Sequence, residues 1–198
     1  SDALVETNSI YIGNDPSSTT DDAEYNLAVG ITALGAVTTG DKNVAIGYQA
    51  LFSNTTAFHN TALGHKSLKF NTTGTYNTAV GYGSMLFNTT GQDNAAFGGQ
   101  SLYHNTTGSS NTVIGSYAGK NNTTGSDLTI VGFQAGINNT QCVNTSTSAG
   151  ILVSPAPVNA NHNVKHIAST NCNKPTNLRP GTANLIISGS FVNGGIIY

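Results

Sequence analysis

The sequence predicts an all-β fold, a parallel β-solenoid, and three observations carry that expectation. Glycine returns every seventeen residues, at Gly13, Gly30, Gly47, Gly64, Gly81, Gly98, Gly115 and Gly132. Two apolar residues precede each of these glycines in register. No apolar period of 3.6 residues runs anywhere, whereas β-branched residues and glycine dominate. A short unit repeated at a fixed period buries its apolar side only by stacking on the next unit, which is the condition that defines a solenoid.

Written from its first asparagine, the unit reads Asn-Thr-Ala-aliphatic-Gly, two variable residues, Ser/Ala-Leu, two more, Asn-Thr-Thr-Gly and a final pair; Asn77 to Asp93 is a nearly ideal copy. Copies begin at Ser9, Asn26, Asn43, Asn60, Asn77, Asn94, Asn111 and Leu128. The organisation that follows is a lead-in over 1–8, eight coils over 9–140, and a β-rich C-terminal cap or receptor-binding domain over 141–198.

The first element of each coil is a short strand. Its two apolar columns are Tyr11, Ala28, Ala45, Ala62, Ala79, Ala96, Val113, Ile130 and then Ile12, Val29, Ile46, Leu63, Val80, Phe97, Ile114, Val131. Consecutive strand residues point to opposite faces, so two adjacent apolar columns predict burial on both sides. A slim solenoid has one interior, and the second face then needs another surface, most economically a copy of the same chain. The pairs Ala45–Ile46, Ala62–Leu63, Ala79–Val80 and Ala96–Phe97 are the candidate core and subunit-interface residues, with the small column allowing close approach of subunits and the large one filling the roll.

The glycine ending the strand calls for a positive φ or for backbone crowding. After it the sequence predicts a second short strand, with an inward column of Leu34, Leu51, Leu68, Met85 and Leu102 that becomes Gly119 and Gly136, so that the core thins towards the last coils. The outer edge is Asn-Thr-Thr-Gly, which suits a tight turn, and identical stacked amides there can form hydrogen-bonded ladders. Eight coils at about 4.8 Å make a rod of roughly 38 Å.

The Asn-x-Ala-Ile-Gly element, clearest at Asn43–Gly47 and Asn77–Gly81, resembles the head repeats of trimeric autotransporter adhesins of the YadA-like kind, and the longer unit with Asn-Thr-Thr-Gly is similar to repeats of phage tail-fibre and virion-fibre proteins. The resemblance covers about residues 9 to 140 and implies a left-handed β-roll assembled as a homotrimer, with the Ala-Ile-Gly strand facing the threefold axis. The adhesin unit is shorter, so no ligand residues carry over from it.

Composition narrows the function. Charged residues make up 8% of the chain, against about a quarter for ordinary domains, so solubility rests on Asn, Thr, Ser and Gly, as suits a virion surface or an extracellular setting. Residues 142–198 carry Lys165, Lys174 and Arg179 and no acid, too few cations for a nucleic-acid partner. There is no apolar run of the roughly 18 residues a membrane helix needs, hence no membrane insertion, no signal-like leader, and a first residue other than Met that points to a processed or excised product. Cys142 and Cys172 form a candidate disulfide; with His162 and His166 they are also a zinc-compatible set lacking the usual paired spacing, so no metal is assigned. His59, His65 and His104 occupy different columns and cannot stack into a metal ladder. Asp15, Asp21, Asp22 and Glu24 could hold calcium, but match no EF-hand spacing and read as a solvated cap.

No Gly-x-Ser-x-Gly elbow, metalloprotease helix or phosphate loop occurs, so neither an enzyme nor a cofactor is expected. Sequons stand at Asn54, Asn71, Asn88, Asn105, Asn121, Asn122, Asn138 and Asn144, either as glycan acceptors or as a by-product of repeated turn chemistry. Tyr48, Tyr82 and Phe133, with His65 in their column, and Phe52, Phe70, Phe87 and Tyr103 near the outer corner are either packing residues or platforms for sugars. Beyond Gln141, Pro155, Pro157, Pro175 and Pro180 interrupt the period, and Ile151–Val153, Leu185–Ile187, Phe191–Val192 and Gly194–Tyr198 read as strands.

The combined expectation is a non-enzymatic, homotrimeric fibre or adhesin protein of a virion or cell surface that attaches to a host glycan or protein receptor, with Lys165, His166, Lys174 and Arg179 as candidate ligand contacts. The alternatives are a purely structural shaft and an ice-binding solenoid, the latter prompted by stacked Thr55, Thr72, Thr89, Thr106 and Thr123, although an extended Thr-Thr pair would point to opposite faces.

Overall fold

The computed structural model describes residues 3–6, 8–13, 22–137, 150–153 and 184–187. They form one sheet of eleven strands in sequential order, with no helix among the described residues. Strand β1 (Ala3–Glu6) turns back through Asn8, whose φ is 61°, and pairs antiparallel with β2 (Ser9–Ile12), covering the sheet edge that the first coil would otherwise expose. The lead-in thus contains a strand that the sequence does not announce.

Parallel pairing then runs through β3 (Leu27–Val29), β4 (Val44–Ile46), β5 (Thr61–Leu63), β6 (Thr78–Val80), β7 (Ala95–Phe97), β8 (Thr112–Ile114) and β9 (Leu128–Val131). Each partner is seventeen residues away, as in Ala79↔Ala96, so the molecule is a parallel β-solenoid whose coils match the sequence period. Strands β10 (Gly150–Val153) and β11 (Asn184–Ile187) fall where two of the C-terminal strands are expected, and they extend the same parallel sheet through Gly150↔Leu128 and Gly150↔Asn184. Phe191–Val192 and Gly194–Tyr198 lie outside the described residues.

The strand's two apolar columns divide in the reverse of the expected way. The small column is the inner one: Ala28, Ala45, Ala62, Ala79 and Ala96 are fully buried within one core cluster. The large column points outward, with Leu63, Phe97 and Ile114 between 41% and 45% exposed. The reason is the width of the roll. Opposite each alanine stands a fully buried Leu34, Leu51, Leu68, Met85 or Leu102, and one long side chain fills the gap between the walls.

Those leucines do not lie on a second strand. Each coil has a single strand of three or four residues, and the segment after the glycine is a continuous turn. Gln49 and Leu51, like their equivalents, have φ of 57° and 49°, which is incompatible with extended pairing. Backbone bonding to the next coil nevertheless continues, for example Leu68 N–H to Ser84 O at 3.0 Å and Met85 N–H to Ser101 O at 2.9 Å. The left-handed conformation of a non-glycine residue costs roughly 1–2 kcal/mol. It is held here by coil-to-coil hydrogen bonds that a different backbone path would forfeit.

The core does not simply thin where leucine gives way to glycine. A Cβ on Gly119 would lie 3.1 Å from Ile130 Cδ1, 3.2 Å from Leu102 Cδ2 and 3.7 Å from Val113 Cγ1. Val113 and Ile130 stand in the column that is otherwise alanine, and both are buried. Volume lost from one wall is therefore supplied from the other.

The strand-ending glycine meets both demands placed on it. Gly81 has φ +129°, and a Cβ there would sit 2.7 Å from the carbonyl carbon and oxygen of Gly98 in the next coil. The obstacle is backbone on a neighbouring coil, so no side-chain movement relieves it.

Candidate assembly surface

The outward face of the sheet is built by strand alternation. Because the middle residue of each strand points in, the residues on either side of it point out. The column nearest the glycine gives Ile12, Val29, Ile46, Leu63, Val80, Phe97, Ile114 and Val131, one apolar side chain per coil, each half-buried or exposed. Ile10, Leu27 and Val44 widen the stripe at its N-terminal end, after which Thr61, Thr78, Ala95, Thr112 and Thr129 take over. Beyond the glycine, Tyr48, His65 and Tyr82 stack on one another at 5.2 Å and 5.3 Å. A contiguous apolar stripe of this length differs from scattered exposed hydrophobes, and such patches mark interaction surfaces.

The opposite side of each coil has a polar interior. Two files of asparagine run up the roll, and both are buried. In the first, Asn43, Asn60, Asn77, Asn94 and Asn111 each use Oδ1 to accept the backbone N–H seventeen residues on, as in Asn94 N–H to Asn77 Oδ1 at 3.1 Å. In the second, Asn88 Nδ2 donates to Asn71 Oδ1 at 2.8 Å, Asn105 to Asn88 at 2.9 Å and Asn122 to Asn105 at 3.0 Å. The files meet at one carbonyl per coil: Gly91 O accepts from Asn77 Nδ2 at 2.8 Å and from Asn88 Nδ2 at 3.0 Å. The expected amide ladder therefore exists, but it lies inside the coil and has a twin at the first asparagine.

The sequence signal for that twin was plain: an asparagine held at one register while its neighbours vary, directly before an apolar strand. Turn chemistry does not demand it there, and ladder formation does.

The aromatic corner rings form further files. Phe70, Phe87 and His104 stack at 5.3 Å and 5.4 Å, with interplanar angles of 13° and 4°. Lys69 lies 4.9 Å from the Phe70 centroid, and Lys120 lies 5.5 Å and 5.1 Å from those of Tyr103 and Tyr117. Beyond His104 the next rung is Asn121, which is not a ring, and an open concavity of about 460 Å³ there is lined by Phe87, His104, Thr106, Asn121 and Thr123. All three described histidines are rungs of ring stacks, since His59 also lies 4.9 Å from Tyr76. The rings cover one another's faces along the rod, which is the packing alternative, while the last of the Phe70 file borders open space.

The threonine pair sits on a bend rather than on an extended segment, and its two side chains have different surroundings. The first hydroxyl turns to the backbone, with Thr72, Thr89 and Thr106 donating to the carbonyls of Thr89, Thr106 and Thr123 at 3.1, 3.0 and 2.9 Å. The second file, Thr56, Thr73, Thr90, Thr107 and Thr124, is exposed.

Lys165, His166, Lys174 and Arg179, the cysteines Cys142 and Cys172, the histidines His162 and His166, and the acids Asp15 and Asp21 all lie outside the described residues. Among the described residues no three His, Cys, Asp or Glu side chains gather as a metal site. Comparison with protein-family models, with curated proteins and with solved structures returns no match.

Proposed function

We propose that this chain is a non-enzymatic rod that assembles with copies of itself and serves as a fibre or adhesin of a virion or cell surface, attaching to a host glycan or protein. The observation carrying the proposal is the unbroken outward file from Ile12 to Val131. An apolar file on a chain so poor in charge is a solubility liability unless another surface covers it. A second copy carries the same file at the same coil spacing, so rungs on the two chains meet in register over the whole rod. The trimeric count and the left-handed winding rest on the resemblance to adhesin head repeats.

Attachment follows from what such a rod is suited to. It offers several copies of one site on a rigid axis, so that individually weak contacts combine into avidity. The candidate contacts are Lys165, His166, Lys174 and Arg179, and the ring-lined concavity beside His104 offers a second place where an apolar sugar face could rest. The test is a glycan array and a cell-binding assay on the full chain, with residues 1–140 alone assayed for assembly. Binding by the full chain supports attachment. No signal from the full chain, together with intact assembly of residues 1–140, removes attachment and leaves a shaft that spaces other parts. Thermal hysteresis would instead favour ice binding, which the consumption of one threonine file by backbone hydrogen bonds argues against.

A further inference from the structure

Five asparagines, Asn54, Asn71, Asn88, Asn105 and Asn122, each open an Asn-Thr-Thr triplet, the acceptor signal for N-linked glycan transfer. Transfer requires a free amide nitrogen with room beside it. In the roll all five side chains are fully buried. Asn88 shows how completely its nitrogen is committed: one N–H goes to Asn71 Oδ1 at 2.8 Å and the other to Gly91 O at 3.0 Å. Its oxygen accepts from Asn105 Nδ2 at 2.9 Å. Asn71, Asn105 and Asn122 have the same two-acceptor arrangement. The signal is thereby split by the fold, because the third residue of each triplet, Thr56, Thr73, Thr90, Thr107 or Thr124, remains on the surface while the reacting nitrogen is inside.

We infer that N-glycosylation at these five asparagines and the folded roll exclude one another: the sites are acceptors in the unfolded chain alone, and a chain modified there cannot close its coils. Transfer joins Nδ2 to the anomeric carbon of the sugar, breaks the bond between that carbon and the pyrophosphate of a lipid-linked donor, and releases one amide proton. At Asn71, Asn88, Asn105 and Asn122 the product keeps one N–H where the ladder uses two, leaving a buried acceptor without its donor. It also places a sugar ring where the side chain has no accessible surface, and the backbone of the adjoining coils bounds that space. A single modified rung separates two coils, and in a solenoid each coil is stabilised mainly by its neighbours. The chain therefore has to reach its folded form before, or apart from, any meeting with an N-glycosylating machinery, and the recurring sequon records a demand for turn amides.

The test presents the full chain, made in bacteria, to purified oligosaccharyltransferase with a lipid-linked oligosaccharide, once folded and once freshly diluted from denaturant in the presence of the enzyme. Site occupancy is read by mass spectrometry, and the roll by far-UV circular dichroism and protease resistance. Occupancy at Asn71, Asn88 and Asn105 is expected to be at least tenfold lower in the folded sample, and molecules modified there are expected to be absent from the protease-resistant fraction. A variant with Thr56→Val, Thr73→Val, Thr90→Val, Thr107→Val and Thr124→Val keeps every ladder amide but loses the signal. Both chains carry Asn121→Gln to remove the neighbouring sequon, and the valine variant is expected to regain the roll after the same treatment. Equal occupancy in folded and unfolded samples, an unfolded chain that is not modified at these asparagines, or a protease-resistant fraction carrying sugar at Asn71, Asn88 or Asn105 would each overturn the inference.

Discussion

The two sides of each coil are held by different physics. The strand side relies on alanine methyls packed under a leucine and on a glycine pressed against the next glycine's backbone. The Asn-Thr-Thr-Gly side has a polar interior, in which two buried amide files converge on one carbonyl per coil. Apolar packing is forgiving, since volume removed from one wall can be supplied from the other, as Gly119 with Val113 and Ile130 shows. Backbone contact and saturated amides are unforgiving, because nothing nearby can substitute. The glycine accordingly holds through all eight coils while the leucine gives way to methionine or glycine, and the amide files hold across the central coils and end where Ser9, Val37 and Leu128 take their registers.

The sharpest way to break this comparison is Gly81→Ala. Its Cβ would meet the Gly98 carbonyl at 2.7 Å from a φ of +129°, so a loss of at least about 4 kcal/mol, or failure to fold, is expected in a denaturant titration. The polar side comes next. Asn88→Leu removes both donors and the acceptor used by Asn105, and a loss of about 3–4 kcal/mol is expected by the same measurement.

The forgiving side is tested by a coupled set. Ile130→Ala should cost about 3 kcal/mol by leaving a cavity over Gly119, and Gly119→Leu alone should cost about 1–3 kcal/mol by overpacking. Combined with Val113→Ala, the two changes rebuild the pattern of the earlier coils, so the triple variant should be more stable than the sum of its parts by at least about 2 kcal/mol. Additive losses would show that the walls do not exchange volume. The smallest effect is expected at Gln100, whose φ is 56° on the turn and whose equivalent one coil earlier is Gly83. Relief of the left-handed penalty and greater freedom of the unfolded chain nearly cancel, so Gln100→Gly should change stability by less than about 0.5 kcal/mol.

Most of the fold is legible in the sequence because a period is a geometric statement. Identical residues at fixed spacing locate the strand that precedes each glycine, the glycine contact and one of the two amide ladders. Which apolar column faces inward is not legible in that way. Ala-Ile-Gly is compatible with either face, and the choice depends on the width of the roll, which is set by turn residues such as Leu51 in a left-handed conformation. The period of two that would assign Leu51 to a second strand fails for the same reason, since a positive φ in a leucine has no local signature. Among candidate sites, the outward file was legible as a column and its direction was not. The histidines were legible as unsuited to a metal ladder, whereas their place in ring stacks emerges only when columns such as Tyr48, His65 and Tyr82 are read as neighbours.

The central claim is that the outward file from Ile12 to Val131 is covered by copies of the same chain, and sedimentation equilibrium tests it most directly. The full chain is expected to sediment as a concentration-stable multiple of 20.3 kDa, with the trimer at three times that mass. Leu63→Lys with Phe97→Lys should return it to the single-chain mass with an unchanged circular dichroism spectrum, because both side chains are already more than 40% exposed in one chain. A wild-type chain that stays at 20.3 kDa at every concentration would contradict the account.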